Sequence, residues 1–260
     1  MDSVQPGIRT IVRHLADGVA AMTVDGYSPV GRVPLPPKRL RAGGEHFRGD
    51  SEFVASGRNE ARWLANQGLL TPVSSLLDFG CGVGRLAIGL LEEGTPLKNY
   101  VGVDVRRSVV RWARRRITRG DSRFGFVCVD IGNARYNPRG LPFQEQQLPF
   151  GDAAFDIAYS YSVFSHLEID DSRSALRELR RLVRVGSMVI ITAFVEDEVK
   201  GGVVVNPTEY GEFPWHGPLH CVLYERQMFD GLVREAGFEV AQTMYRSETE
   251  EQSRYVLRAA

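Results

Sequence analysis

From residue 74 onward, short apolar runs alternate with amphipathic stretches, the rhythm of strands and helices taken in turn. SSLLDFG (74–80) reads as a buried strand, Arg85 to Glu93 as a helix stopped by Gly94, and NYVGVDV (99–105) as a second strand. Arg106 to Arg119 predicts a helix that buries Val109, Val110, Trp112, Ala113 and Ile117 and turns its arginines to water. GFVCVDI (125–131) is a third strand, and FDIAYSYSVF (155–164) opens as a fourth. Asp170 to Leu182 is the next helix, SMVIITAF (187–194) the fifth strand, and Glu225 to Glu235 a last helix with Gly237 as its stop. FEVAQTMY (238–245) and SRYVLRA (253–259) follow with no helix between them, so one strand runs antiparallel. The pattern predicts an α/β fold: a doubly wound, mostly parallel seven-stranded sheet with helices on both faces.

Residues 1–60 break this rhythm. Ile8 to Ala21 is a short helical candidate, and Pro34, Pro36 and Pro37 forbid a helix in GRVPLPPKRLRAGG (31–44), which reads as an extended segment wrapping the main domain. SEFVASGRNEARWLANQG (51–68) is a helix leading into the first strand. The expected organisation is an N-terminal extension or cap at 1–60 and a domain at 61–260, with insertions at about 132–147 and 196–224.

Charge and composition narrow the partners. Lys+Arg and Asp+Glu are both 32, so no net field draws a polyanion, and no nucleic-acid partner is expected. Cys81, Cys128 and Cys221 form no CxxC pair and suggest neither a disulfide framework nor a zinc site. The first residues lack a signal-peptide pattern, and the apolar run Met188 to Val195 is too short to span a bilayer. A cytoplasmic protein without membrane insertion is expected. With only Lys38, Lys98 and Lys200 as lysines, the arginine bias suits a GC-rich, bacterial genome.

The chemistry gathers at LLDFGCGVG (76–84), where Gly80, Gly82 and Gly84 follow a strand and precede a helix. Bare glycines at such a corner let backbone approach a ligand. Dinucleotide sites want G-x-G-x-x-G, and the third glycine position holds Arg85 here, which leaves an NAD(P)-dependent oxidoreductase as the weaker alternative. Asp104 ends the second strand 20 residues past Gly84, placed to accept both hydroxyls of a ribose. Together these features indicate an adenosine-containing ligand.

LLDFGCGVGR followed by GVDV resembles the first motif and acidic loop of class I S-adenosylmethionine-dependent methyltransferases; LPFGDAAFDIAYSYSVFSHL and LRELRRLVRVGSMVIITAF resemble their fourth- and fifth-strand regions. VRVGS stands where relatives usually carry a Lys-Pro-Gly-Gly turn. The resemblance covers about residues 74–195. It implies S-adenosyl-L-methionine as cofactor and S-adenosyl-L-homocysteine as product. Asp78, Gly80 and Gly82 would line the methionine end, with Cys81 inside the loop and Gly84 letting the helix start close by. Asp104 would take the ribose, Val105 and Ile131 would border adenine, Asp130 would sit near the adenine amino group, and backbone at Ser160 and Tyr161 would close the sulfonium side.

Ligands in such folds bind beyond the carboxyl ends of the strands, so the fourth strand delivers SYSVFSHL to the reaction centre. His166 is its imidazole and a candidate general base; a packing or capping histidine is the plainer alternative. Some relatives hold a divalent metal with Glu-x-x-Glu-His in this stretch, where Ser162, Ser165 and His166 stand here, so metal-independent chemistry is expected. Tyr136 in the first insertion, and Tyr210, Trp215, His216 and His220 in the second, are candidate substrate contacts suited to a phenolic or glycosylated acceptor. His216 and His220 are alternative bases; Gly217 and Pro218 rule out a helical metal pair. The resulting expectation is methyl transfer to a small-molecule or glycosylated acceptor, at oxygen. Rival readings are an RNA or protein acceptor, using the arginine-rich helix, and a cofactor-binding protein without catalysis.

Overall fold

The computed structural model describes residues 26–27, 33–42, 47–208, 210–211 and 215–260. The helical candidate at 8–21 lies outside them. In chain order the elements begin with the two-residue strands β1 (Gly26–Tyr27) and β2 (Pro34–Leu35), which pair antiparallel, and helix α1 (Asp50–Asn66). Then come β3 (Ser75–Phe79), α2 (Arg85–Glu92), β4 (Asn99–Asp104), α3 (Arg107–Ala113), β5 (Phe124–Cys128) and β6 (Phe155–Ser160). They are followed by α4 (Ile169–Leu182), β7 (Val183–Glu196), β8 (Val203–Val205), β9 (Val222–Glu225), α5 (Arg226–Glu235), β10 (Phe238–Met244) and β11 (Ser253–Ala259).

Among the described residues the main sheet runs β10-β11-β7-β6-β3-β4-β5, seven strands with β11 antiparallel to both neighbours and the rest parallel. This is the doubly wound sheet that the alternating pattern predicts. The chain order reverses about β3, whose Asp78 lies opposite Gly102 of β4 and Tyr159 of β6. Such a switch point opens a crevice at the carboxyl ends of the strands.

Local departures from the sequence pattern have local causes. The helix expected to reach Arg119 widens after Ala113 into a π-type turn, Arg114–Thr118, where Arg114 Nε donates to the Phe126 carbonyl at 2.6 Å. The stretch 196–224 is more than a loop: β9 runs parallel to the end of β7, and β8 pairs antiparallel with β9. GGVVVNP carried the signal for β8, a β-branched run bounded by glycine and proline.

One core lies on each face of the sheet. Leu176, Leu179, Phe229 and Leu232 of α4 and α5 cover one, and Leu64, Leu86, Ile88 and Val110 of α1, α2 and α3 the other. Helix α1 runs through residue 60 and buries Phe53, Val54, Ala61 and Leu64. It sits directly on α2, because a Cβ at Gly89 would stand 2.0 Å from the Gly57 carbonyl oxygen. The entry of the N-terminal segment is thereby fixed against the helix that follows the glycine run.

Candidate active site

The glycine run forms a tight loop between β3 and α2. Gly80, at φ +80°, takes a conformation that side-chain-bearing residues resist, and a Cβ there would lie 2.2 Å from Val163 Cγ2. The N–H groups of Gly80 and Cys81 both donate to the Val103 carbonyl, at 2.8 and 2.9 Å. Asp104, buried at the end of β4, accepts the Gly82 N–H on Oδ2 and the Arg106 N–H on Oδ1, both at 2.8 Å. It therefore pins the loop, a second role that its sequence position did not reveal. Each carboxylate oxygen still has a lone pair for a ligand hydroxyl.

Asp78 lies at the floor of this loop, buried, with the Tyr100 hydroxyl donating to its Oδ2. Burial pushes its pKa up to about 7, against the opposing effects of the Tyr100 hydrogen bond and the nearby Arg85 charge. A carboxyl poised there ionises readily once a cation arrives beside it.

Above the loop opens a cavity of about 1010 Å³. Ligand sites commonly span about 300–1,000 Å³, so this one can take a cofactor and a small acceptor together. Asp78, Gly80, Cys81, Gly82, Asp104 and Val105 line one end, with Ile131 beside them. Tyr136, Tyr161, His166, Trp215, His216 and His220 line the rest. Four expected residues lie outside the lining. Gly84 is the left-handed cap of α2, where a Cβ would crowd Ile117 and Phe126. Ser160 is fully buried in β6. Asp130 is exposed, its Oδ1 accepting from Asn137 Nδ2 at 3.1 Å; Val129 and Ile131 face the cavity, so alternation turns Asp130 away from any adenine there. Tyr210 is buried behind Trp215, packed edge-on to Phe194.

Of the three histidines lining the cavity, His166 and His220 hold complementary tautomers. His166, on the turn Phe164–His166 after β6, has Nδ1 3.0 Å from the Leu219 carbonyl, which can only accept. Nδ1 therefore carries the proton and Nε2 the lone pair. Burial lowers the His166 pKa to about 4, with the Leu219 hydrogen bond opposing, so the ring is neutral at physiological pH. The Tyr136 ring meets it edge-on at 5.3 Å. His220 is the reverse case: its Nδ1 accepts the His216 N–H at 2.7 Å, which leaves the proton on Nε2.

The remaining walls come from distant parts of the chain. Phe47, Arg48 and Phe53 of the N-terminal segment, and Thr249, Glu250 and Gln252 of the β10–β11 turn, all line the cavity. Ser162, at φ +56°, is held by a ring of hydrogen bonds: its N–H donates to Thr192 Oγ1 (2.7 Å), Thr192 donates to Gln252 Oε1 (2.8 Å), and Gln252 Nε2 donates to Ser162 Oγ (3.0 Å). Below it, Arg254 pairs with Glu60 at 2.7 Å and with Glu248 at 2.8 Å, and Tyr159 donates to Glu60 at 2.8 Å.

Residues 77–191 match the family model of a methyltransferase domain. That segment resembles the class I S-adenosylmethionine-dependent methyltransferases. An O-methyltransferase of Penicillium expansum, cnsE, is 28% identical over 64% of this chain and 52% of its own length. The chain thus spans about half the length of such curated relatives. The magnesium protoporphyrin IX methyltransferase ChlM of Synechocystis, solved with S-adenosylmethionine bound, shares the fold at a TM-score of 0.54, 15% identity and full coverage of both chains. The (4+2)-cyclase SpnF shares it too, at 0.56 and 18%, covering 95% of this chain and 94% of its own.

The matched segment includes the glycine-loop end of the cavity and stops short of much of the rest. The N-terminal residues at 47–53 and the turn at 249–252 went unrecognised as cavity walls. Their only sequence signal was aromatic and polar residues in segments that the family pattern does not cover. Among the described residues no helix is long and apolar enough to cross a membrane.

Proposed function

We propose that this chain transfers a methyl group from S-adenosylmethionine to an oxygen of a small-molecule acceptor, glycosylated or not, without a metal ion. The observation that carries the proposal is the bare Nε2 of His166, fixed by the Leu219 carbonyl, in the same cavity as the glycine loop. The name of the Penicillium relative supports oxygen as the receiving atom.

The residues suit the cofactor chemically. Its sulfonium and ammonium are cations, and Asp78 offers a carboxyl poised near pH 7. Asp104 offers buried lone pairs for the ribose hydroxyls, and Val105, Ile131 and Phe143 offer apolar surface for adenine. The bare Gly80 removes the Cβ that would fill the floor. When bound, S-adenosylmethionine supplies an electrophilic methyl group on a positively charged sulfur.

His166 accepts the hydrogen bond of the acceptor hydroxyl on Nε2 and thereby orients the oxygen. With a pKa of about 4 it is too weak a base to ionise a phenol beforehand. As the new O–C bond forms, the hydroxyl becomes strongly acidic, and even a weak, positioned base then takes its proton. His220 Nε2–H is the complementary donor for a second oxygen on the acceptor. Walls drawn from discontinuous segments exclude water and align the oxygen, a contribution of about 7–11 kcal/mol in favourable cases.

The test is turnover. With S-adenosylmethionine and a panel of phenols and hydroxylated glycosides, S-adenosylhomocysteine and an O-methyl product are expected, with chelator present. Methylation of amines alone, or turnover restored only by magnesium, contradicts the proposal. Binding of S-adenosylhomocysteine without turnover on any acceptor favours non-methylating chemistry on this fold.

A further inference from the structure

Arg85 stands where a dinucleotide site would have its third glycine, and beyond its charge acting on Asp78 it has no role so far. It is the first residue of α2, part-buried, and lines the cavity. Its guanidinium carbon lies 4.5 Å from the Tyr161 ring centre and 5.2 Å from that of Phe47. Its hydrogen bond to protein is a long one, Nη2 to the Tyr159 hydroxyl at 3.5 Å, and that hydroxyl gives its own proton to Glu60. Neighbouring arginines have shorter partners: Arg41 pairs with Asp50 at 2.6 Å, Arg254 with Glu60 and Glu248, and Arg135 donates to the His216 carbonyl at 2.9 Å. Among the described residues Arg85 has no carboxylate within ion-pair distance.

A guanidinium carries five in-plane N–H donors, and aromatic rings over its face satisfy none of them. Donors left over on a cavity wall are available to a ligand that enters it. The planar fork matches a carboxylate, which takes two parallel N–H bonds. We infer that Arg85 is the carboxylate receptor of this cavity, clamped between Tyr161 and Phe47. The carboxylate has two sources, the amino-acid end of the cofactor or an acidic acceptor, so the inference rests in part on the methyl-transfer reading.

The experiment separates the sources. Calorimetry compares wild type and Arg85→Gln for S-adenosylhomocysteine and for its decarboxylated analogue. If the cofactor supplies the carboxylate, Arg85→Gln weakens S-adenosylhomocysteine about 10–100-fold and leaves the analogue unchanged. If the acceptor supplies it, Arg85→Gln leaves both unchanged, while 4-hydroxybenzoate binding to the S-adenosylhomocysteine-loaded protein falls at least about tenfold. Equal weakening of both cofactor forms, or no change in any of the three ligands, overturns the inference. Arg85→Lys keeps the charge without the fork and gives an intermediate loss, which preserves the test should the glutamine variant misfold. Failure of wild type to bind S-adenosylhomocysteine at all counts against the cofactor reading instead, and the benzoate arm, run on free protein, still decides the role of Arg85.

Discussion

The two ends of the cavity are built differently. The proposed cofactor end comes mainly from one stretch of chain: β3, the glycine loop, α2 and β4 fall within residues 75–104, and their hydrogen bonds, Gly80 and Cys81 to Val103 and Gly82 to Asp104, close on themselves. The proposed acceptor end is assembled from the N-terminal segment, the turn after β6, the insertion before β9 and the β10–β11 turn. What joins these pieces is buried polar contact over long sequence separations, above all Glu60 with Arg254, 194 residues apart. A local unit is encoded by spacing; an assembled one is encoded by partners.

Breaking the assembled half should cost most. Arg254→Met leaves Glu60 buried without its cation, and breaking a buried pair from one side costs about 3–5 kcal/mol. Chemical denaturation should show that loss, and Glu60→Met in the same chain should recover most of it. In the folded fraction S-adenosylhomocysteine affinity should stay within about threefold. A collapse of cofactor affinity in Arg254→Met would show that the two halves are not separable.

The converse cut is Asp104→Ala. It removes the carboxylate proposed to take the ribose and frees the Gly82 and Arg106 N–H groups that hold the loop. Hydrogen bonds to charged groups contribute about 1.5–3 kcal/mol each, so cofactor affinity should fall by about 100-fold or more by calorimetry. A change below about threefold would misplace the cofactor. His166→Ala lies between the halves: turnover should drop roughly 10²–10⁴-fold with cofactor affinity unchanged. Because His166 titrates near 4, its protonation should leave the rate flat from about pH 5 to 8. A rise through pH 6.5, tracking His166 in a Gln variant control, would refute the neutral-ring account.

What was readable in the sequence follows the same division. The alternating pattern gave the seven strands, their antiparallel member, and the loop with Asp104, because each signal spans a few dozen residues. Asp130 lies two residues past the end of its strand at Cys128, exposed and bonded to Asn137, an arrangement the sequence did not signal. Ser162's left-handed backbone and the Gln252–Thr192 link left no local trace, since residues 90 and 60 positions apart in the chain satisfy them. Arg85 was visible as a departure from one motif, but its missing partner is a fact of three dimensions.

The finest test of the comparison is a titration at the cofactor end. Asp78 has a folded pKa raised to about 7, mainly by burial, against an ordinary carboxylate value of 3.8. Between those two values the unfolded chain has released the proton that the folded one keeps, so this residue lowers stability as pH rises from about 4 to 7. Binding has the opposite sign. A cationic cofactor prefers the ionised carboxylate, whose fraction climbs from about a tenth at pH 6 to about nine-tenths at pH 8. Affinity for S-adenosylmethionine should therefore rise by up to about tenfold across that interval, and Asp78→Asn should flatten the curve. The same titration on Arg254→Met should keep its slope if the cofactor end is self-contained. Loss of the slope there would mean that the ion pair beneath the acceptor walls also sets the charge of Asp78, and the division between a local and an assembled half would fail.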